Sequence, residues 1–300
     1  MSLPEAGLPQ AQLELLKKVA RSFYLSLRWL PPAVRGPMSL AYLLARASDT
    51  IADAGAWPAH ERTTGLTLLV AAVRDPTISW TRGDLIPADE DTVILAHLPA
   101  LLHQLHRLPP AERALVQEVM VTITQGQLED IQRAEVGSME ELERYTFQVA
   151  GCVGEFWTKL CVLKLPHFAR APVASLRESG IRFGKGLQLV NILRDIAGDA
   201  ALGRSYLPGL PVTSSVEQRW AAAQPWLRAC RDSLLAGREY AVGINGIRNR
   251  LVVLLPYFLA EATLDLIVQT GSEAMGQSVK IPRAAVRRLA ASALRTSIFG

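Results

Sequence analysis

Alternating β-branched runs bounded by turns are scarce in this chain, so no convincing sheet can be drawn from it. Cysteine is equally sparse. Cys152, Cys161 and Cys230 stand with no Cys-x-x-Cys and no histidine at ligand spacing, which excludes a disulfide framework and a zinc site. No stretch reaches about 18 uncharged apolar residues, the length a spanning helix needs, and the N-terminus lacks a basic segment followed by an apolar core. Charges are interspersed and no block resembles a nucleic-acid arm, despite a formal charge of +4 and a pI near 9.1. Linkers, repeats and low-complexity tracts are missing as well. These absences predict one domain over residues 1–300, soluble or peripheral to a membrane, in a reducing cytoplasm, with an anionic small molecule or an anionic lipid surface as the partner its charge suits.

What is present is material for a large core: 300 residues, 49% of them hydrophobic, rich in Leu, Ala and Arg, which favours helices. Helical periodicity runs over residues 9–28, 37–55, 60–74, 90–107, 110–135, 138–164, 171–201, 215–242 and 246–270. Prolines punctuate these segments at Pro31-Pro32, Pro109-Pro110, Pro166, Pro172 and between 208 and 211. The stretch 75–90, with Pro76, Gly83, Pro87 and several acids, reads as an exposed excursion.

Two aspartate pairs share one spacing, Asp49 with Asp53 and Asp195 with Asp199. On a helix, i and i+4 lie on one face, so each pair can present two carboxylates to one hard cation, which takes its other ligands from phosphate and water. Eleven aspartates in 300 residues would produce only about 0.4 such pairs by chance. In residues 38–55, Arg46, Asp49 and Asp53 form a polar stripe that Tyr42 continues, flanked by Ala and Leu. A solvated face carries mixed charges, whereas a polar stripe on an apolar helix lines a cavity. Upstream, Arg21 and Ser22 stand beside Phe23 and Tyr24, a guanidinium fork suited to diphosphate next to rings that can lie along an apolar tail.

The segment 186–208 is the most specific. Gln188, Asn191, Asp195 and Asp199 fall on one face of a helix otherwise made of Leu, Val and Ile, and such groups are not buried without partners. Arg194, Arg204 and Tyr206 are candidates to hold phosphate oxygens, and Gly203 allows the turn that returns Arg204 to the site. Between the two aspartate stretches, Ala150, Gly151 and Gly154 interrupt a helical pattern at a cost of about 1 kcal/mol per glycine. They serve either close helix packing or an apolar substrate lying on the backbone; Gly126, Gln127 and Asp130 repeat the pattern more weakly. Tyr145 is either a half-buried residue or a phenolic proton acceptor.

Arg-Ser-Phe at 21–23, Asp-Thr-Ile-Ala-Asp at 49–53, Tyr145 followed by Val-Ala-Gly and Val-Gly, the run 188–199 and the run 203–208 together resemble, in order and spacing, the squalene and phytoene synthase family. The resemblance implies an all-α isoprenoid-synthase helical bundle with a central substrate cavity. It implies head-to-head (1′-1) condensation of two prenyl diphosphates through a cyclopropyl intermediate. Asp49, Asp53, Asp195 and Asp199 would bind Mg²⁺, or Mn²⁺, and take part in catalysis with Tyr145, which matches a tyrosine of proton transfer. Arg21, Ser22, Arg46, Gln188, Asn191, Arg194, Arg204 and Tyr206 would bind the diphosphate. Ser-Asp-Thr at 48–50, where phytoene synthases carry adjacent aspartates, tilts the expectation to farnesyl diphosphate as substrate and squalene as product, with NADPH as reductant. Presqualene diphosphate, dehydrosqualene or phytoene are the alternative end points.

Two positions depart from the pattern: Ala52 and Gly198 stand where the family often has acids. No Gly-x-Gly-x-x-Gly follows a strand, so a nicotinamide would bind outside a Rossmann fold. Two rivals remain, a terpene cyclase using one diphosphate and a non-catalytic helical adapter at a membrane. The basic amphipathic tail, with Lys280, Arg283, Arg287, Arg288 and Arg295 among apolar residues, suits anionic lipid in either an adapter or a peripheral enzyme.

Overall fold

Residues 10–19, 23–55, 57–81, 93–133 and 135–299 are described by the computed structural model. The first helices are α1 (Gln10–Val19), α2 (Phe23–Trp29), α3 (Pro32–Ala52), α4 (Ala59–Arg74), α5 (Val93–Arg107) and α6 (Pro110–Ile131). There follow α7 (Met139–Thr146), a π-helical turn (Phe147–Gly151), α8 (Cys152–Lys164), α9 (Val173–Ala201), α10 (Val216–Val242), α11 (Ile247–Thr270), a 3₁₀ turn (Gly271–Met275) and α12 (Arg283–Phe299). Among the described residues the only extended pairings are two isolated bridges, Glu135 with Ser205 and Ala169 with Ile244. The expected all-α class is what the chain adopts.

The chain divides into two compact units, Met1–Gln132 with Lys159–Leu165, and Arg133–Thr158 with Pro166–Gly300. In the first, α3 packs on α4, α5 and α6. Leu40, Leu43, Leu44, Ala47 and Ile51 are sealed from solvent on one side of α3, meeting Leu66 and Leu69 of α4, Ile94, Leu98 and Leu101 of α5, and Met120 of α6 in the core. Each such leucine contributes about 1.5–3 kcal/mol by burial. Proline starts two of these helices: Pro32 and Pro110 occupy first-turn positions, where a missing N–H costs nothing.

In the second unit α9 packs on α10, α11 and the π-helical turn, and α11 packs on α10 and α12. Ser215 and Gln218 cap α10 reciprocally, side chain to backbone at both residues. Tyr240 of α10, 1% exposed, hydrogen-bonds Thr158 at 2.8 Å. Cys152, Cys161 and Cys230 are free thiols and all buried, and burial pushes the Cys230 thiol up to about 12.

Several elements differ from the periodicity. α3 begins at Pro32 rather than 37 and carries Pro37 inside, while Arg35 donates back to the Leu30 carbonyl at 2.7 Å. α6 stops at Ile131 rather than 135, because the chain must extend for the Val136 amide to reach the Ser205 carbonyl at 2.9 Å. The expected helix over 138–164 holds the π-helical turn, where the Cys152 N–H bonds the Phe147 carbonyl five residues back. Trp80, inside the expected excursion, is buried, and residues 82–90 lie outside the described residues. Helix α11 is long and apolar enough to cross a membrane by length and composition, yet half of that stretch is buried within the protein. Glu261 and Asp265 interrupt its apolar run, which is why a search for uncharged stretches passes over it.

Candidate functional site

The first set of site residues lies on α3. Tyr42, Arg46 and Asp49 are half-buried, and Asp53 is exposed one residue past the helix, its N–H bonding the Asp49 carbonyl at 2.8 Å. Burial raises the Asp49 carboxyl to about 6, the charge of Asp53 pushes the same way, and Arg46 and a hydrogen bond from Gln127 oppose it. The side chain of Gln127, on α6, donates to Asp49 Oδ1 at 2.7 Å. Ser48 donates in turn to Gln127 Oε1 and lies 3.3 Å from the Thr124 hydroxyl. Arg21 and Ser22 lie outside the described residues.

The second set lies on α9 and the turn after it. Gln188, Asn191, Asp195 and Asp199 are all half-buried along one stripe, and Asn191 donates to Gln188 at 3.3 Å. Arg194 grips its neighbour Asp195 with both arms of the guanidinium, Nε to Oδ1 at 2.8 Å and Nη2 to Oδ2. That pairing holds the Arg194 guanidinium above its usual range. Gly203 ends the helix with φ +74°, and the Arg204 N–H returns to the Asp199 carbonyl at 2.8 Å. Arg204 and Tyr206 thereby line, with Asp199, Ile192 and Arg219, a small cleft.

Tyr145 and Tyr206 come together although 60 residues separate them. Their rings stack at 4.9 Å, and the Arg133 guanidinium lies over Tyr145 at 5.5 Å. The bridge between Glu135 and Ser205 is what brings the two segments into register. Arg133, Arg219 and the Lys185–Glu143 ion pair, one helical turn before Gln188, went unread in the sequence. Lys185 continues the 188–199 stripe by one turn, a signal that could have found it, whereas Arg133 and Arg219 belong to no such stripe and only the fold could place them.

Ala150, Gly151 and Gly154 serve helix packing. A Cβ added to Gly154 would overlap the Gly180 carbonyl on α9, and one on Gly184 would stand 2.5 Å from the Ala150 oxygen. Gly198 is the opposite case, with open space around it. Ala52, at the other departing position, is buried, and its carbonyl accepts from Arg62 at 2.8 Å.

The donor set fits a hard cation. Each stripe offers two carboxylates and no sulfur or imidazole, the set Mg²⁺ uses when water and phosphate complete its shell. Among the described residues no three acidic, histidine or cysteine side chains converge into a protein-only cage.

Solved structures share this all-α fold. TcSQS in complex with the ligand E5700 superposes with a TM-score of 0.81 at 20% identity, over 97% of this chain and 90% of that one. A dehydrosqualene synthase in complex with a ligand gives 0.70 at 19% identity, over 96% of this chain and 95% of that one. The profile of the squalene/phytoene synthase family matches residues 16–289, and the chain belongs to that family. The squalene synthase of Yarrowia lipolytica is 25% identical over 276 residues, which are 85% of this chain and 60% of that protein's length.

Proposed function

We propose that this chain is a prenyltransferase that joins two farnesyl diphosphates head to head (1′-1), by way of presqualene diphosphate, to squalene. The observation that carries the reading is the pair of carboxylate sites, Asp49 with Asp53 and Asp195 with Asp199, each beside an arginine in a chain of this family. The aspartates hold Mg²⁺, with Mn²⁺ as a substitute. Arg21, Ser22, Arg46, Gln188, Asn191, Arg194, Arg204 and Tyr206 bind diphosphate oxygens. Arg194 exchanges the Asp195 carboxylate for phosphate as substrate arrives, which keeps the guanidinium paired throughout and frees Asp195 for the cation. Bound Mg²⁺ supplies the charge that stabilises the leaving diphosphate.

Diphosphate leaves one farnesyl group as an allylic cation, which the double bond of the second attacks. Loss of a proton closes the cyclopropane, and the phenol oxygen of Tyr145, under the Arg133 guanidinium, relays that proton. A second ionisation rearranges presqualene diphosphate. Squalene then requires hydride from NADPH, and no residue of this chain is assigned to hold that cofactor.

The likeness to a dehydrosqualene synthase favours a second reading, in which the rearranged cation loses a proton instead of taking hydride. Mass spectrometry of products formed from farnesyl diphosphate and Mg²⁺, with and without NADPH, separates the readings. Squalene only with NADPH supports the first; dehydrosqualene in both tubes replaces it with the second; presqualene alcohol after phosphatase marks an enzyme that stops halfway. A cyclic C15 product alone would contradict both.

The location proposed is the cytoplasmic face of a membrane. Arg283, Arg287, Arg288 and Arg295 of α12 are exposed on one side of the helix together with Leu294, Ile298 and Phe299. Co-sedimentation with vesicles containing anionic lipid, lost at high salt or in a fourfold Arg→Gln variant, tests it.

A further inference from the structure

We propose that Gln127 is a positioning residue for Asp49, holding one carboxylate oxygen so that the other faces a divalent cation. The inference rests on the metal role proposed above for Asp49. Gln127 lies near the C-terminal end of α6 and is 8% exposed, and a primary amide is not buried there unless its donors and acceptor are met. Its Nε2 donates to Asp49 Oδ1 at 2.7 Å, and its Oε1 accepts from Ser48 Oγ. Ser48 is sealed from solvent and Thr124, 3.3 Å from it, is 1% exposed and donates to the Met120 carbonyl at 2.8 Å.

This arrangement fixes which end of the amide faces which partner. The ionised Asp49 carboxylate only accepts, so the NH₂ end of the amide faces it, and the amide oxygen at the other end is anchored by the proton of the Ser48 hydroxyl. Ser48 and Asp49 are consecutive on α3, so one turn of helix supplies both the carboxylate and the group that orients its holder. An apolar side chain would fill the same space without three buried polar groups to satisfy. The arrangement has the form of the outer hydrogen bonds that orient metal-ligating carboxylates, whose loss typically weakens metal binding about 10- to 100-fold. With Oδ1 committed to Gln127, Oδ2 is the oxygen left to a cation shared with Asp53.

Mn²⁺ binding to substrate-free protein, followed by electron paramagnetic resonance, tests the inference with Gln127→Met, Ser48→Ala and Asp49→Asn beside the wild type. Gln127→Met keeps length and volume but removes the amide. The expected result is a rise of about tenfold or more in the Mn²⁺ dissociation constant of the phase that Asp49→Asn abolishes. The Mg²⁺ concentration for half-maximal diphosphate release rises in step, while kcat at saturating Mg²⁺ stays within about twofold. A merely structural glutamine would lower the melting temperature without this split. Ser48→Ala leaves the amide in place but free to turn, and shows a smaller shift of the same sign; it carries the test if Gln127→Met does not fold. Unchanged Mn²⁺ affinity in both variants, with Asp49→Asn weakened, overturns the positioning role and leaves the metal reading standing. Unchanged affinity in Asp49→Asn overturns the metal reading itself.

Discussion

Burial raises the Asp49 carboxyl to about 6 from an ordinary 3.8, with the Asp53 charge adding to it. A carboxyl whose pKa is higher folded than unfolded binds more protons in the native state between those two values. Its contribution to stability is complete below about pH 4 and is lost as pH rises through about 6. Denaturation in EDTA should therefore show a loss of stability over that window that is missing in Asp49→Asn, and Mg²⁺ or Mn²⁺ at pH 7.5 should restore it by replacing the proton. A wild-type curve parallel to that of Asp49→Asn contradicts the assignment. Gly198 offers a second test at the same scale. Open space surrounds it inside α9, so Gly198→Ala should stabilise the protein by up to about 1 kcal/mol through helix propensity. Gly198→Glu should fold equally well and lower the Mg²⁺ concentration for half-maximal activity, since it adds a carboxylate beside Asp199. An unchanged or higher Mg²⁺ requirement in Gly198→Glu would argue that the α9 pair is not a metal site.

Among the elements, α9 was the most legible in sequence, because the polar stripe 188–199 has a strict helical period against Leu, Val and Ile. The π-helical turn was not legible, since the extra residue at 147–151 leaves the apolar pattern of α7 and α8 intact. Whether the small residues there served packing or substrate depended on what they face, and only the neighbouring helix supplies that. Gly154→Ala should accordingly cost about 3 kcal/mol, the upper end of the usual range for overpacking, because its methyl meets the Gly180 backbone rather than a movable side chain. Gly203→Ala, in open space at φ +74°, should cost only about 1–2 kcal/mol. Thermal melts that rank the two in the reverse order would contradict the packing account.

At the scale of the whole molecule, the helical class, the positions of most helices and the family were readable because periodicity and motif order are local properties of the chain. The stacking of Tyr145 on Tyr206, the grip of Arg194 on Asp195 and the support of Asp49 by Gln127 were not. Tyr145, Tyr206 and Gln127 were each marked in their own segments, but pairing them is a long-range contact that local spacing cannot give, and for adjacent Arg194 and Asp195 spacing does not decide between partners. The central claim is that the two aspartate pairs proposed as metal ligands are both needed for metal-dependent departure of diphosphate. The direct measurement is the rate of diphosphate release from farnesyl diphosphate against Mg²⁺ concentration, in the wild type, Asp49→Asn and Asp195→Asn. The account predicts release that requires Mg²⁺ and falls about 100-fold or more, roughly 3 kcal/mol, in either variant. Release that persists without Mg²⁺, or that survives either substitution undiminished, would contradict it.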